Sequence, residues 1–92
     1  MNVTSTTHIS EADLLAGMLS NDQDCFAGIY DRYAAMLFGM ILKWVKQEEK
    51  AEILLHNTFV KAWNSKKLFD AETENFYCWL CRLARICYNE HR

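Results

Sequence analysis

QDCFAGIYDRYAAMLFGMILKWV, residues 23–45, decides the fold. Within it Phe26, Ile29, Tyr30, Tyr33, Leu37, Met40, Ile41 and Trp44 recur at steps of three and four. On a helix of about 3.6 residues per turn, that spacing gathers them on one face. It predicts one long helix from about Gln23 to Val45, and an aromatic stripe of this kind reads first as core. The chain has no proline and three glycines. Nothing forbids further long helices, and tight hairpins lack their usual turn residues.

Upstream, Ser20-Asn21-Asp22 should end a shorter helix and cap the long one. That shorter helix starts after Ser10, a good N-cap, with Asp13 in the capping-box position. Leu14, Leu15, Met18 and Leu19 form its stripe. Residues 1–9 are expected to be a flexible tail. Downstream, Lys46 to Lys50 reads as a charged connector. A third helix follows, with Ala51, Leu54, Leu55, Phe59, Ala62 and Trp63 on one side. Asn64 to Asn75 reads as a loop. A fourth helix carries Phe76, Trp79, Leu80, Leu83, Ala84, Cys87 and Tyr88 inward, with Trp79 as a core anchor. The expected fold is all-α: a small antiparallel bundle of three long helices plus a short N-terminal one, forming one domain over residues 10–92.

Composition narrows the function classes. At 92 residues with 51% apolar content, the chain fits one domain with one core. Its longest uninterrupted apolar stretch, Ala34 to Leu42, falls far short of the roughly 20 residues that span a bilayer. Met1 to Thr7 lacks a signal-peptide pattern. No membrane role and a cytoplasmic location are the expectation. Of the four cysteines, Cys25, Cys78, Cys81 and Cys87, the Cys78–Cys81 pair has CxxC spacing. The three histidines, His8, His56 and His91, are scattered, so reduced packing or surface thiols are expected rather than a metal site. No nucleophile–base pair, glycine-rich phosphate loop or paired acids point to an enzyme, and no cofactor is implied. The net charge of −2 hides an asymmetry. Residues 1–31 hold five acids and no Lys or Arg, whereas residues 32–67 hold seven bases and three acids. Local sign matters more than the total for steering a polyanion.

Periodicity alone stops at a small helical bundle. Three stretches go further. Asp24 to Tyr33 reads DCFAGIYDRY, Ala51 to Trp63 reads AEILLHNTFVKAW, and Phe76 to Ile86 reads FYCWLCRLARI. Together they resemble the "AF..LY.RY", "AEDLVQEVFLKAW" and "F..WLYRIARN" patterns of region 2 in extracytoplasmic-function sigma factors, a group within the sigma-70 family. The likeness runs from about Ser10 to Arg92, in the same order and at the same spacing.

The resemblance implies core RNA polymerase as partner, through the coiled coil in the clamp of its largest subunit. Glu52, Ile53, His56, Asn57 and Val60 on the third helix would make that contact. It also implies promoter DNA as partner, with the −10 element melted and its non-template strand held by Lys61, Lys66, Lys67, Phe69, Tyr77, Arg82, Arg85, Ile86 and Asn89. Phe69 matches a family position lining the pocket for a flipped base. An anti-sigma factor is a further partner of such domains. The chain departs from the pattern where the family's Asp is Ile53, where its acid–amide pair is His56-Asn57, and where its Asn is Ile86. The loop Asp70 to Asn75 is acidic where DNA would pass. An alternative therefore stays open: a diverged sigma-like interaction module that binds polymerase or an anti-sigma factor without opening promoters. Three to four phosphate contacts would give a salt slope for single strands of about −2 to −3.

Overall fold

A computed structural model of the chain describes residues 9–91. Four helices follow one another: α1 (Glu11–Leu19), α2 (Gln23–Val45), α3 (Glu48–Asn64) and α4 (Phe76–Glu90). A 3-10 turn, Lys66–Leu68, lies between the last two, and no strand occurs among the described residues. Of the expected tail only Ile9 is described; its carbonyl accepts a hydrogen bond from Arg32 Nη2 at 2.9 Å. Residues 1–8 lie outside the described residues.

The helix ends follow from side chains that satisfy free backbone donors. Ser10 Oγ accepts from the Asp13 N–H at 3.1 Å and starts α1. Asp22 Oδ1 accepts from the N–H groups of Asp24 and Cys25, at 2.9 and 3.3 Å, and starts α2. Between these helices Asn21 takes the left-handed conformation, φ 67°, which its short polar side chain tolerates. Asn75 Oδ1 accepts from the Cys78 N–H at 3.2 Å and starts α4.

The connector before α3 is shorter than the sequence suggests. It consists of Lys46 and Gln47 alone, and α3 begins at Glu48. Lys46 closes α2 in the left-handed conformation, φ 63°, with its N–H on the Leu42 carbonyl at 2.8 Å. Gln47 supplies no side-chain cap, but Glu48 and Glu49 fill the first turn of α3, where negative charge meets the positive end of the helix dipole. The charges that read as a linker are in fact a helix start.

Helix α2 packs against α1, α3 and α4, and α3 packs against α4. Ile29, Leu37 and Ile41 of α2 are fully buried, together with Met18 of α1, Ala51 and Ala62 of α3, and Leu80 and Ala84 of α4. Burial of a large aliphatic side chain stabilises by about 1.5–3 kcal/mol. By length and composition α2 is apolar enough to cross a membrane, yet its apolar stripe is the seam on which the other helices close. Thr58 sits in the same core, and its hydroxyl donates to the Leu54 carbonyl at 2.7 Å. Trp79 is buried as the expected anchor.

The α1–α2 contact depends on a missing side chain. A Cβ on Gly17 would lie 2.7 Å from Cys25 Cβ, and one on Gly28 2.9 Å from Leu14 Cδ2. Gly39, in the middle of α2, has open space where a Cβ would go. Gly17→Ala should therefore lower stability by about 1–3 kcal/mol through overpacking. Gly39→Ala should raise it by about 0.5–1 kcal/mol by removing backbone freedom from the unfolded chain. Urea unfolding midpoints of the two variants check the opposite signs.

Candidate functional site

The outward side of α3 is apolar and uncovered among the described residues. Ile53 is 57% exposed and Val60 44%, and His56 lies exposed between them. Glu52 is exposed on the same side, whereas Asn57 is half-buried with its Nδ2 3.1 Å from His91 Nε2 of α4. The inner stripe of α3 is buried, so these side chains are spare. Beside them, α2 and α3 enclose an open groove of about 400 Å³ lined by Gln23, Phe26, Tyr30, His56, Phe59, Val60 and Trp63. Its floor is a run of ring contacts: Phe26 lies 4.9 Å from Trp63, and Tyr30 4.7 Å from Phe59, between centroids. Tyr30 is 40% exposed. The sequence places it in the core stripe, and its spacing gives no sign that it would show: Ile41, farther round the same helix, is fully buried.

The expected DNA residues fall into three groups. Phe69 is half-buried, edge-on to Phe76 at 5.2 Å and tilted against Trp79 at 5.2 Å. One part of the ring is thus fixed by α4 and the rest is open. Tyr77 stacks on Tyr33 of α2 at 5.8 Å. Lys67, Arg85, Ile86 and Asn89 are exposed, and the Arg85 guanidinium lies 4.8 Å from the Trp44 ring centroid and 5.7 Å from that of Tyr88.

Other cations are already engaged. Lys66 is only 7% exposed, with its ammonium 3.7 Å from the Trp63 ring centroid and 3.4 Å from the Trp63 carbonyl. It faces inward, away from any phosphate, because a desolvated cation on an indole gains about 2 kcal/mol. Arg82 grips Glu74 through two hydrogen bonds of 2.6 and 3.0 Å. This holds the Glu74 carboxyl below its usual range and raises the Arg82 pKa. Lys61 reaches Glu90 at 3.7 Å, a partly exposed pair of small energetic weight. The acidic loop is partly accounted for: Asp70 Oδ1 accepts from the Glu72 N–H at 2.9 Å, and Glu74 serves Arg82. The same loop displays Leu68, 80% exposed at the end of the 3-10 turn. Neither the Glu74–Arg82 pair, eight residues apart across a helix start, nor the exposure of Leu68 leaves a periodic trace in the sequence.

Tyr33 ties the site to α1. Its hydroxyl donates to Glu11 Oε2. Burial first, then this bond and the Glu11 charge, push its pKa up to about 12, against an opposing pull from Arg32. The neutral phenol is the form the fold holds. Its contribution is complete below the ordinary value of 10.0 and is lost as pH rises towards about 12. Stability should fall across that window, and Tyr33→Phe should flatten the fall, read by unfolding at a series of pH values alongside phenolate absorbance.

A family model described as Sigma-70 region 2 matches residues 29–91. The chain is 27% identical over 71 residues to curated proteins named ECF RNA polymerase sigma factor SigK in Mycobacterium sp. strains KMS and JLS. It is equally similar to one named RNA polymerase sigma factor SigK in strain MCS. Each alignment takes in 77% of this chain and 37% of the relative, so the chain spans little more than a third of their length. No solved structure matches.

Proposed function

Because this chain belongs to the sigma-70 region 2 family, we propose that it binds core RNA polymerase and single-stranded promoter DNA during transcription initiation. The observation that carries the polymerase half is the uncovered apolar side of α3, centred on Ile53 and Val60. Glu52 and His56 flank it, and Asn57 is pinned behind it by His91. Where the family presents acid, this face presents isoleucine. Docking on the clamp coiled coil then draws mainly on apolar burial, with the exposed Glu48, Glu49 and Glu52 steering a cationic edge of the partner.

In the DNA half, the open part of Phe69 and the neighbouring Tyr77 offer ring surface to an unstacked base, a sequence-tolerant contact. Lys67 and Arg85 hold phosphates, while Ile86 and Asn89 line the outer side of α4. Lys66 takes no part, and Arg82 joins only by giving up Glu74. With about two phosphate contacts the salt slope is about −1 to −2, shallower than the unpaired sequence suggests. The sequestered cations favour a second reading, a sigma-like module that binds polymerase or an anti-sigma factor without opening promoters.

One experiment tests the proposed polymerase dock, and a second separates the two readings. In a pull-down with a clamp fragment of the largest polymerase subunit, Ile53→Lys with Asn57→Lys should abolish capture; retained capture means that α3 is not the dock. Fluorescence anisotropy on a short labelled non-template strand, at several salt concentrations, reads the DNA half. Phe69→Ala should weaken binding by about 1–3 kcal/mol. Lys67→Ala should lower affinity and flatten the salt slope, and Lys66→Met should change neither. Absence of binding at low salt, even with core polymerase present, leaves only the second reading.

A further inference from the structure

Cys78 and Cys81 stand three residues apart in the first half of α4. Cys78 is exposed, Cys81 is half-buried, and both are free thiols. Helix geometry sets Cα atoms at this spacing about 5 Å apart, within the span a disulfide bridges. Their Cβ atoms in a regular helix are about 5–6 Å apart, whereas a disulfide requires about 3.5–4.5 Å. Joining the two sulfurs therefore forces the turn to deform by about 1–2 Å. A strained, exposed disulfide of this kind is readily reduced again.

The turn that would deform is the one on which the DNA side rests. The Cys78 N–H holds the Asn75 cap at 3.2 Å. Phe76, two residues before Cys78, and Trp79, between the two cysteines, fix Phe69. Tyr77, between the cap and the pair, stacks on Tyr33. The other two cysteines do not compete: Cys87 is buried, and Cys25 is packed on Gly17 between α1 and α2.

We propose that Cys78 and Cys81 form a dithiol switch, in which a peroxide closes an intrahelical disulfide that distorts the start of α4 and releases single-stranded DNA. The release rests on the DNA reading above; the closure does not. The Cys78 thiolate attacks one oxygen of hydrogen peroxide, the O–O bond breaks, and hydroxide leaves as water on taking up a proton. The resulting sulfenic acid is attacked by the sulfur of Cys81. The S–S bond forms, the S–O bond breaks, and the departing hydroxide takes the Cys81 proton as a second water. Two electrons pass from the two sulfurs to the peroxide, so two thiols and one peroxide give one disulfide and two waters.

The test treats the intact chain with hydrogen peroxide, blocks remaining thiols with iodoacetamide, and maps the cysteines by peptide mass spectrometry. Circular dichroism and strand-binding anisotropy are read on the same samples. The expected result is a Cys78–Cys81 bridged peptide, a smaller helix signal and an affinity reduced by about tenfold, the loss of about one stacked base. Dithiothreitol should reverse all three, and Cys78→Ser and Cys81→Ser should show none. Separate alkylation of the two cysteines, bridges only between chains, or a bridged chain with unchanged helix signal would overturn the switch. Reversible bridging with loss of helix supports it even where the reduced chain binds no DNA, an outcome that overturns the DNA reading alone.

Discussion

Everything in this domain is arranged around the buried seam of α2. Ile29, Leu37 and Ile41 are wholly withdrawn from solvent, and α1, α3 and α4 all close on this helix. An isolated helix, even a long one, is only marginally stable in water, so the seam depends on the helices that close on it. The inner stripes of α3 and α4 are consumed in the same core. Their outer sides, one apolar and one mixed aromatic and basic, are what remains for binding.

Much of this was legible in the sequence. The bounds of α2 follow from a sustained apolar repeat and from Asp22, whose carboxylate satisfies two backbone donors. The start of α3 was misread because Glu48 to Lys50 look like a solvated connector. Only when the acids are placed on the positive end of a helix does their role appear. Lys66 illustrates the harder limit. A lysine in a polar loop reads as solvent-exposed, and its burial depends on Trp63 lying three residues earlier on a helix that ends at the right place. The Arg82–Glu74 pair is invisible for the same reason, since it needs the turn at Asp70 to bring the loop back over α4.

The electrostatic picture follows from those two misreadings. By composition the middle of the chain is basic. In the fold, Lys66 of that stretch lies on an indole and Lys61 reaches Glu90, while Arg82 of α4 is held by Glu74. The domain's surface is therefore less attractive to a polyanion than its sequence suggests, and the DNA contact proposed above rests more on ring surface at Phe69 and Tyr77. In the polymerase contact proposed above, isoleucine in place of acid on α3 has a parallel effect: less long-range attraction, more short-range burial.

The attachment of α1 sets the order in which the molecule comes apart. Nine residues long, this helix is held by Leu14 and Met18 in the core, by Glu11 on Tyr33, and by the Arg32 guanidinium on the carbonyl just before it. It is too short to persist once detached. Its backbone amides can thus reach solvent by a partial opening that leaves the other three helices closed, below the free energy of complete unfolding. The domain is in this sense a three-helix unit with a detachable N-terminal clasp. Tyr33, which bonds the clasp through Glu11, is also the ring on which Tyr77 stacks, so one phenol touches both α1 and α4.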